Sequence, residues 1–143
     1  MREHVLVVSS DLRQLMDITV AFRGTEYASI FALSPDILER AAATPPSGSE
    51  SIIACLDGRE SAGRIADLLA RDPRIIFVEP SGGLAPPARR TIAAFGRLIF
   101  EHGTPSLVLV AALIAINRES ALRSEPETNR SPAVLFPDDA ASQ

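Results

Sequence analysis

Hydroxyl and carboxyl side chains stand directly after several short apolar runs of this 143-residue chain. They are Ser9, Ser10, Asp11, Asp57, Glu79 and Thr104. Carboxylates are suitable ligands for a hard cation such as Mg²⁺, whereas neutral serine hydroxyls are poor ones. Whether these groups can act together depends on the elements that carry them to one place.

Five apolar runs alternate with stretches of helical periodicity. Continuous runs that contain β-branched residues are typical of strands buried on both faces of a parallel sheet. The predicted strands are Val5–Val8, Tyr27–Leu33, Ile52–Leu56, Ile75–Val78 and Leu98–Phe100. After the second of them, Ser34 and Pro35 predict the N-cap and the first residue of a helix.

This alternation predicts an α/β fold. The expected architecture is a doubly wound, five-stranded parallel sheet with strand order 2-1-3-4-5, covered by helices on both faces. Ligands bind such a sheet beyond the carboxyl ends of its strands, at the switch point between strands one and three. We therefore expect Ser9, Ser10, Asp11, Glu79 and Thr104 to line one crevice, with Asp57 at the end of the third strand beside it.

The length of the chain fits one domain with a sizeable core. We place this domain at residues 1–118. From Glu119 onward the composition is dominated by Ser, Glu, Pro, Asp and Asn. Residues 119–143 are therefore predicted to be a linker or flexible tail.

Composition argues against several classes of function. A formal net charge of −4 offers no basic surface, so we expect no direct nucleic-acid binding. The apolar run Leu107–Ile116 is about half of the roughly 20 residues that a membrane-spanning helix needs. Cys55, the only cysteine, has apolar neighbours, which favours a buried thiol in a cytoplasmic protein. His4 and His102 lie far apart, and we expect neither a metal nor a cofactor.

The segment Ser51–Asp57 is an apolar strand that ends in an aspartate within an alternating α/β chain, and in this it resembles the receiver domain of bacterial response regulators. The similarity covers about Val5 to Arg118. It implies a flavodoxin-like, receiver-like three-layer sandwich and a role in two-component signal transduction. In that family the residue corresponding to Asp57 accepts a phosphoryl group in a phosphorelay. An acidic pair after strand one holds Mg²⁺, a Thr or Ser ends strand four, and a Lys-Pro pair follows strand five.

The chain departs from that pattern at the supporting positions. Ser9 and Ser10 replace the acidic pair. Glu79 takes the hydroxyl position of strand four, and Thr104 stands where the lysine is expected. Phosphoryl transfer relies on the metal and a cation to offset charge on the migrating group, so Asp57 is expected to be a slow acceptor. The resemblance therefore implies a pseudo-receiver that is not an enzyme.

Glu79 has a further expected effect. A second carboxylate close to Asp57 would raise the pKa of one of the two groups. It could also mimic the active state.

Other interpretations remain open for the same residues. Asp57 with Gly58 is also a common strand-exit turn, and Asp11 suits a helix N-cap better than a metal site. One alternative function is a phosphorylatable receiver that uses Asp57 as its acceptor. Another is a small-molecule sensor that uses the crevice.

The predicted linker suggests attachment to an output domain, as in a regulator of transcription, although no helix-turn-helix follows. A stand-alone adaptor is the other possibility. In both cases the partner is a protein.

The last predicted helix is apolar all round for about three turns. Its apolar residues form two stripes, and the sequence does not decide which faces the sheet. One stripe is Leu109, Leu113 and Ile116, and the other is Leu107, Val110 and Ile114. An exposed apolar stripe marks a contact site, so we expect a homodimer or effector interface here. The alternative is that the tail, through Val134–Phe136, covers the helix.

Overall fold

Strands and helices alternate along the chain in the computed structural model, which describes residues 3–43 and 50–130. The strands are β1 (Glu3–Ser9), β2 (Tyr27–Leu33), β3 (Glu50–Cys55), β4 (Arg74–Val78) and β5 (Ile99–Phe100). The helices are α1 (Leu12–Ala21), α2 (Ile37–Ala42), α3 (Ala62–Leu69), α4 (Pro86–Ala94) and α5 (Ser106–Arg130). All five strands form one parallel sheet in the order β2-β1-β3-β4-β5. The predicted α/β fold and strand order are confirmed.

Strand β1 lies inside the sheet, which explains its unbroken apolar run. It pairs with β2 along its whole length, from Glu3 opposite Tyr27 to Ser9 opposite Leu33, and with β3 on its other side. Its side chains alternate between the two faces of the sheet. On one face a buried cluster joins the sheet to α2, α3 and α4. Helix α1 buries Leu15 and Ile18, which lie outside that cluster and so belong to the opposite face.

Side-chain caps fix where the first helices begin. The Asp11 carboxylate accepts from the Arg13 backbone N–H at 3.0 Å, which confirms the predicted N-cap of α1. Ser34, the predicted N-cap of α2, does not occupy that position. Its hydroxyl instead donates to the Asp36 carbonyl and accepts from the Asp36 N–H, which closes the turn around Pro35. Asp36 is the N-cap, and its carboxylate accepts from the Glu39 N–H.

Cys55 ends β3 and is buried, as predicted. Burial raises the pKa of its thiol to about 12. The group is therefore protonated at neutral pH and unreactive.

Helix α5 extends ten residues beyond its predicted end near Ser120, to Arg130. Ala121, Leu122 and Arg123 are strong helix formers, and they extend the helix into a segment predicted to be a linker. Two compact units divide the chain, Met1–Ala111 and Ala112–Gln143, with their boundary inside α5. The predicted domain limit near Arg118 stays a prediction. No helix of the described residues has the length and apolar composition required to cross a bilayer.

The two predicted stripes of α5 differ less in exposure than the sequence suggested. Leu109, Val110 and Leu113 are buried, while Ile114 and Ile116 are partly buried. Leu107 is 70% exposed, and Val108 beside it is exposed as well. The expectation that Leu107, Val110 and Ile114 share one environment is therefore wrong. Val110 lies about 60° around the helix from Leu107, on the buried side, whereas Ile114 lies only about 20° from Leu107.

Candidate functional site

Two separate clefts lie where the strands of the sheet end. The first lies between α1 and the start of α5 and is here called the α1–α5 cleft, with a volume of about 340 Å³. Its polar lining consists of Asp11, Arg13, Gln14, Asp17, His102, Thr104 and Ser106. Two residues of the predicted crevice, Asp11 and Thr104, therefore line one cleft.

Ser9, at the end of β1, is buried and does not line this cleft. Its hydroxyl donates to the Gln14 side-chain oxygen at 2.8 Å and accepts from the Asp11 N–H at 3.0 Å. It is thus committed to the turn between β1 and α1. Ser10 is exposed and is also outside the lining.

Asp57 lies in the second cleft, the Asp57 cleft, which has a volume of about 150 Å³. Its lining comes from the loops after β2 and β3 and from α3: Pro35, Asp36, Ile37, Asp57, Arg59, Glu60 and Arg64. The single crevice expected from the sequence is therefore divided into two, with Asp57 apart from Asp11 and Thr104.

Both carboxylate oxygens of Asp57 are occupied by Arg59. One oxygen accepts from the Arg59 Nη2 at 2.7 Å and from its Nε at 3.1 Å, and the other accepts from the Arg59 backbone N–H at 3.0 Å. The Asp57 side chain is only 15% exposed. The Arg59 guanidinium lowers the pKa of Asp57 to about 2. Asp57 is therefore ionised and bound to a cation from its own loop.

A second carboxylate in the Asp57 turn belongs to Glu60. It accepts from the backbone N–H of Asp57 at 3.1 Å and from that of Gly58 at 3.0 Å. Burial raises the pKa of Glu60, and the negative charge of Asp57 adds to that rise. The sequence interpretation missed both Arg59 and Glu60, although an aspartate followed by polar residues at the second and third positions is a signal of such a turn.

A second ion pair extends this site to α2. Arg64 of α3 donates from Nη2 to both oxygens of Asp36, at 2.9 and 3.0 Å. The Arg59 Nη2 also donates to the Pro35 carbonyl at 3.2 Å. The two arginines thus connect the loops after β2 and β3 through an acid–arginine network of Asp36, Asp57, Arg59, Glu60 and Arg64.

Glu79 follows β4 and is buried, but its partner is not Asp57. Its carboxylate forms a salt bridge with the Nη2 of Arg89 on α4. The expected mutual effect of Glu79 and Asp57 is therefore wrong for Asp57, whose pKa falls because Arg59 contacts it. Gly83 lies close to the pair, and a Cβ at this position would be 3.8 Å from the Arg89 Nη2.

The resemblance implies Mg²⁺ beside the acceptor aspartate, and the residues present do not fit this ion. Within the described part of the chain, no three His, Cys, Asp or Glu side chains are grouped so that they could hold a metal. The Ser9 hydroxyl is buried in its turn, and the Asp57 oxygens accept hydrogen bonds from Arg59. No step through a metal is derived for this site.

The Asp57–Arg59 pair predicts a dependence of stability on pH. The pKa of Asp57 is below its ordinary value of 3.8, so the pair stabilises the fold above about that pH and loses the effect as the pH falls toward about 2. Because the Arg59 side chain is largely exposed, screening by water keeps this contribution to stability small. As the pH falls over this range, the free energy of unfolding should decrease less in Arg59→Ala than in the wild type.

Urea unfolding at several pH values measures this effect. Arg90→Ala, which removes another exposed arginine, is the control and should keep the wild-type slope. Equal slopes in wild type and Arg59→Ala would contradict the assignment.

The sequence matches no family model and no curated protein. Solved structures are similar in fold. A CheY-like response regulator from Mesorhizobium loti has a TM-score of 0.63 and 16% identity, over 82% of this chain and 99% of the other. A receiver domain protein from Methanospirillum hungatei has a TM-score of 0.64 and 12% identity, over 87% of this chain and 100% of the other.

A response regulator from Burkholderia pseudomallei, solved with a phosphorylated aspartic acid, a calcium ion and citrate, has a TM-score of 0.57 and 22% identity. That match covers 93% of this chain and 77% of the other. At these identities the likeness concerns the fold, and it agrees with the sheet order and the alternation of strands and helices. The chain therefore has the fold of response-regulator receiver domains.

Proposed function

We propose that the chain is a pseudo-receiver, a cytoplasmic regulatory module that keeps the receiver fold and acts through contacts with other proteins. The observation that carries this proposal is the occupation of both Asp57 oxygens by Arg59. A phospho-acceptor needs a free carboxylate oxygen aligned with the incoming phosphorus atom. Attack by Asp57 would first require the loss of its hydrogen bonds to Arg59.

The surroundings of Asp57 also support a module without phosphorylation chemistry. The position of the metal-binding acids is filled by Ser9 and Ser10, and the Ser9 hydroxyl is buried and hydrogen-bonded. The Arg59 guanidinium is already paired with Asp57, so its positive charge is not available to offset the charge of a migrating phosphoryl group. Charge on that group would be poorly offset, and transfer would be slow.

We further propose that Glu79 and Arg89 hold the loop after β4 and the start of α4 in one conformation. Glu79 occupies the position where a receiver carries a hydroxyl residue, and the buried carboxylate is tied to α4 by Arg89. In this proposal the loop does not change conformation on phosphorylation. The module would then convey a signal by binding to its partner.

The start of α5 is the surface that we assign to a signalling partner or an output domain. Leu107 and Val108 are the large apolar side chains exposed on its described part, accompanied by Ala111 and Ala115. A homodimer through this helix stays a prediction of the sequence. Two large side chains supply little of the roughly 1,000 Å² that a stable interface needs, which favours a larger partner protein.

Asp57→Asn tests the proposal directly. We expect the variant to keep the thermal stability of the wild type within a few degrees, its oligomeric state and its binding to a partner. Incubation of the wild type with acetyl phosphate and Mg²⁺ should give no increase in mass, and beryllofluoride with Mg²⁺ should leave the amide spectrum unchanged. A stable aspartyl phosphate that disappears in Asp57→Asn would contradict the proposal and favour the phosphorylatable receiver.

The α1–α5 cleft favours a second candidate function, a small-molecule sensor. Its volume of about 340 Å³ lies near the lower limit of ligand pockets, and its lining includes the charged side chains Arg13 and Asp17. A thermal-shift screen of small zwitterionic compounds tests it. A stabilising compound should lose its effect in Asp17→Asn.

A further inference from the structure

The large exposed apolar side chains of this protein are concentrated at one edge of the sheet. Among the described residues, six of the ten lie on α1 or β2. They are Leu12, Met16, Val20, Ile30, Phe31 and Leu33, and they are called the edge patch below. Ile30 is paired with Leu6 and therefore lies on the α2–α4 face of this edge, whereas the other five lie on the α1 side. Exposed apolar side chains grouped in this way mark contact sites on soluble proteins.

Strand β2 itself is an unprotected edge. It is the outermost strand of the sheet, and its seven residues, Tyr27–Leu33, contain no proline and no charged side chain. Natural sheets usually protect such edges with prolines, charges, bulges or very short strands. The opposite edge follows this rule, because β5 has only two residues. Among the described residues no strand pairs with the outer side of β2, so the outward backbone groups of residues 28–33 are open to pairing.

Helix α1 lies on the face of the sheet that carries Phe31 and Leu33. These residues are opposite Val7 and Ser9 of β1, whereas Leu6 and Val8 belong to the buried cluster of the other face. Leu12, Met16 and Val20 follow an i, i+4, i+8 stripe of α1. The side of α1 that lines the α1–α5 cleft carries Gln14 and Asp17, which lie about 160° and about 100° around the helix from Met16. The stripe therefore faces outward and beyond β2.

We propose that this edge patch binds a second copy of the chain, with the two β2 strands pairing antiparallel about a two-fold axis at Ile30. This arrangement places Ile30 opposite itself and Phe31 opposite the small side chain of Ser29 in the second copy. Tyr27 then lies opposite Leu33. Directly opposed residues share a face in an antiparallel pair, so the large side chains on the α1 face meet small or apolar ones.

The two α1 helices fit the same axis. Neighbouring strands are about 4.8 Å apart, and α1 lies over both β1 and β2, so the helices of two paired copies would be about 10 Å apart. Packed helices are separated by about 8 to 10 Å. An axis through the middle of the α1 stripe would bring Met16 against Met16 of the second copy. Leu12 would meet Val20.

The edge patch supplies more than half of the area that a stable dimer needs to bury. A half-exposed side chain of this size leaves roughly 50 Å² in water, so the six residues in two copies supply about 600 Å² of apolar surface. The paired strand edges and the rim of α1 add polar surface to approach the roughly 1,000 Å² of a specific interface. Because the contact is isologous, it closes at two copies and forms a sheet of ten strands.

Analytical ultracentrifugation of the full chain over a range of concentrations tests the proposal with two matched variants. Ile30 and Leu98 are 49% and 47% exposed, and only Ile30 belongs to the edge patch. We expect wild type and Leu98→Lys to be dimers at micromolar concentration, and Ile30→Lys to be a monomer with the same circular dichroism spectrum. A monomeric wild type, or a dimer that persists in Ile30→Lys, would overturn the proposal.

Cysteine cross-linking locates the two-fold axis. In an antiparallel pair, opposed Cα atoms are about 4.5 to 5.5 Å apart, within the range of a disulfide. Ile30→Cys should therefore form a covalent dimer under mild oxidation, while the buried Cys55 stays reduced. Leu107→Cys is the control and should remain uncross-linked. Rapid cross-linking of Leu107→Cys without that of Ile30→Cys would place the interface on α5 and refute the edge pairing.

Discussion

Arg89→Ala is expected to lower the free energy of unfolding by about 3 kcal/mol. The substitution removes the partner of Glu79, whose side chain is buried, and breaking a buried ion pair from one side leaves an uncompensated charge. The loss is expected toward the lower end of the range for such pairs, because the Arg89 side chain is half exposed to water. Guanidinium chloride unfolding at neutral pH measures it.

The double variant Arg89→Ala, Glu79→Gln separates the pair from other effects of the arginine. A neutral amide has a smaller cost of burial than an unpaired carboxylate, so the double variant should be more stable than Arg89→Ala alone. Arg90→Ala, the neighbouring substitution on α4, should change stability by less than about 0.5 kcal/mol. If Arg89→Ala matches Arg90→Ala, the pair does not hold α4, and the proposed fixed conformation of the loop fails with it.

The fold could be predicted from the sequence because it depends on patterns that repeat along whole elements. The run Val5–Val8 is apolar without alternation, and the structure explains this by strands on both sides of β1 and helices on both faces. Asp11 was equally informative, since an N-cap needs only local geometry. Signals of this kind survive uncertainty of one or two residues in the limits of an element.

The candidate site could be predicted only in part, because its chemistry depends on which side chains pair. The sequence placed Asp57 after β3, but the choice of Arg59 as its partner rests on contacts within a short turn. Glu79 and Arg89 are ten residues apart and meet only because the loop after β4 turns back toward α4. In the sequence, Glu79 looked like a neighbour of Asp57, since both follow adjacent strands.

Helix α5 shows the same limit. Its residues 107–116 are apolar all round, so hydrophobic periodicity carries no information about its rotation. In the structure Leu113 is fully buried and Leu107 is exposed, which assigns the two residues opposite roles. The two positions therefore provide a matched pair of substitutions with the same chemistry.

Leu113→Asp is expected to unfold the protein. An unpaired carboxylate at a fully buried position, together with the loss of a leucine, should cost more than about 4 kcal/mol, a large part of the total stability of a domain of this size. Leu107→Asp should change stability by less than about 0.5 kcal/mol, because its side chain is already in water. Thermal unfolding followed by circular dichroism distinguishes the two variants.

The mass of Leu107→Asp in solution then decides between the two dimer interfaces. If copies associate through the edge patch, the variant stays a dimer at the concentrations at which the wild type is one, because Leu107 lies on α5 and outside that patch. If it dissociates while its unfolding curve is unchanged, the homodimer forms through the last helix, as the sequence predicts. A folded, dimeric Leu107→Asp that no longer binds a partner of the wild type would assign the exposed start of α5 to signalling and the β2 edge to self-association.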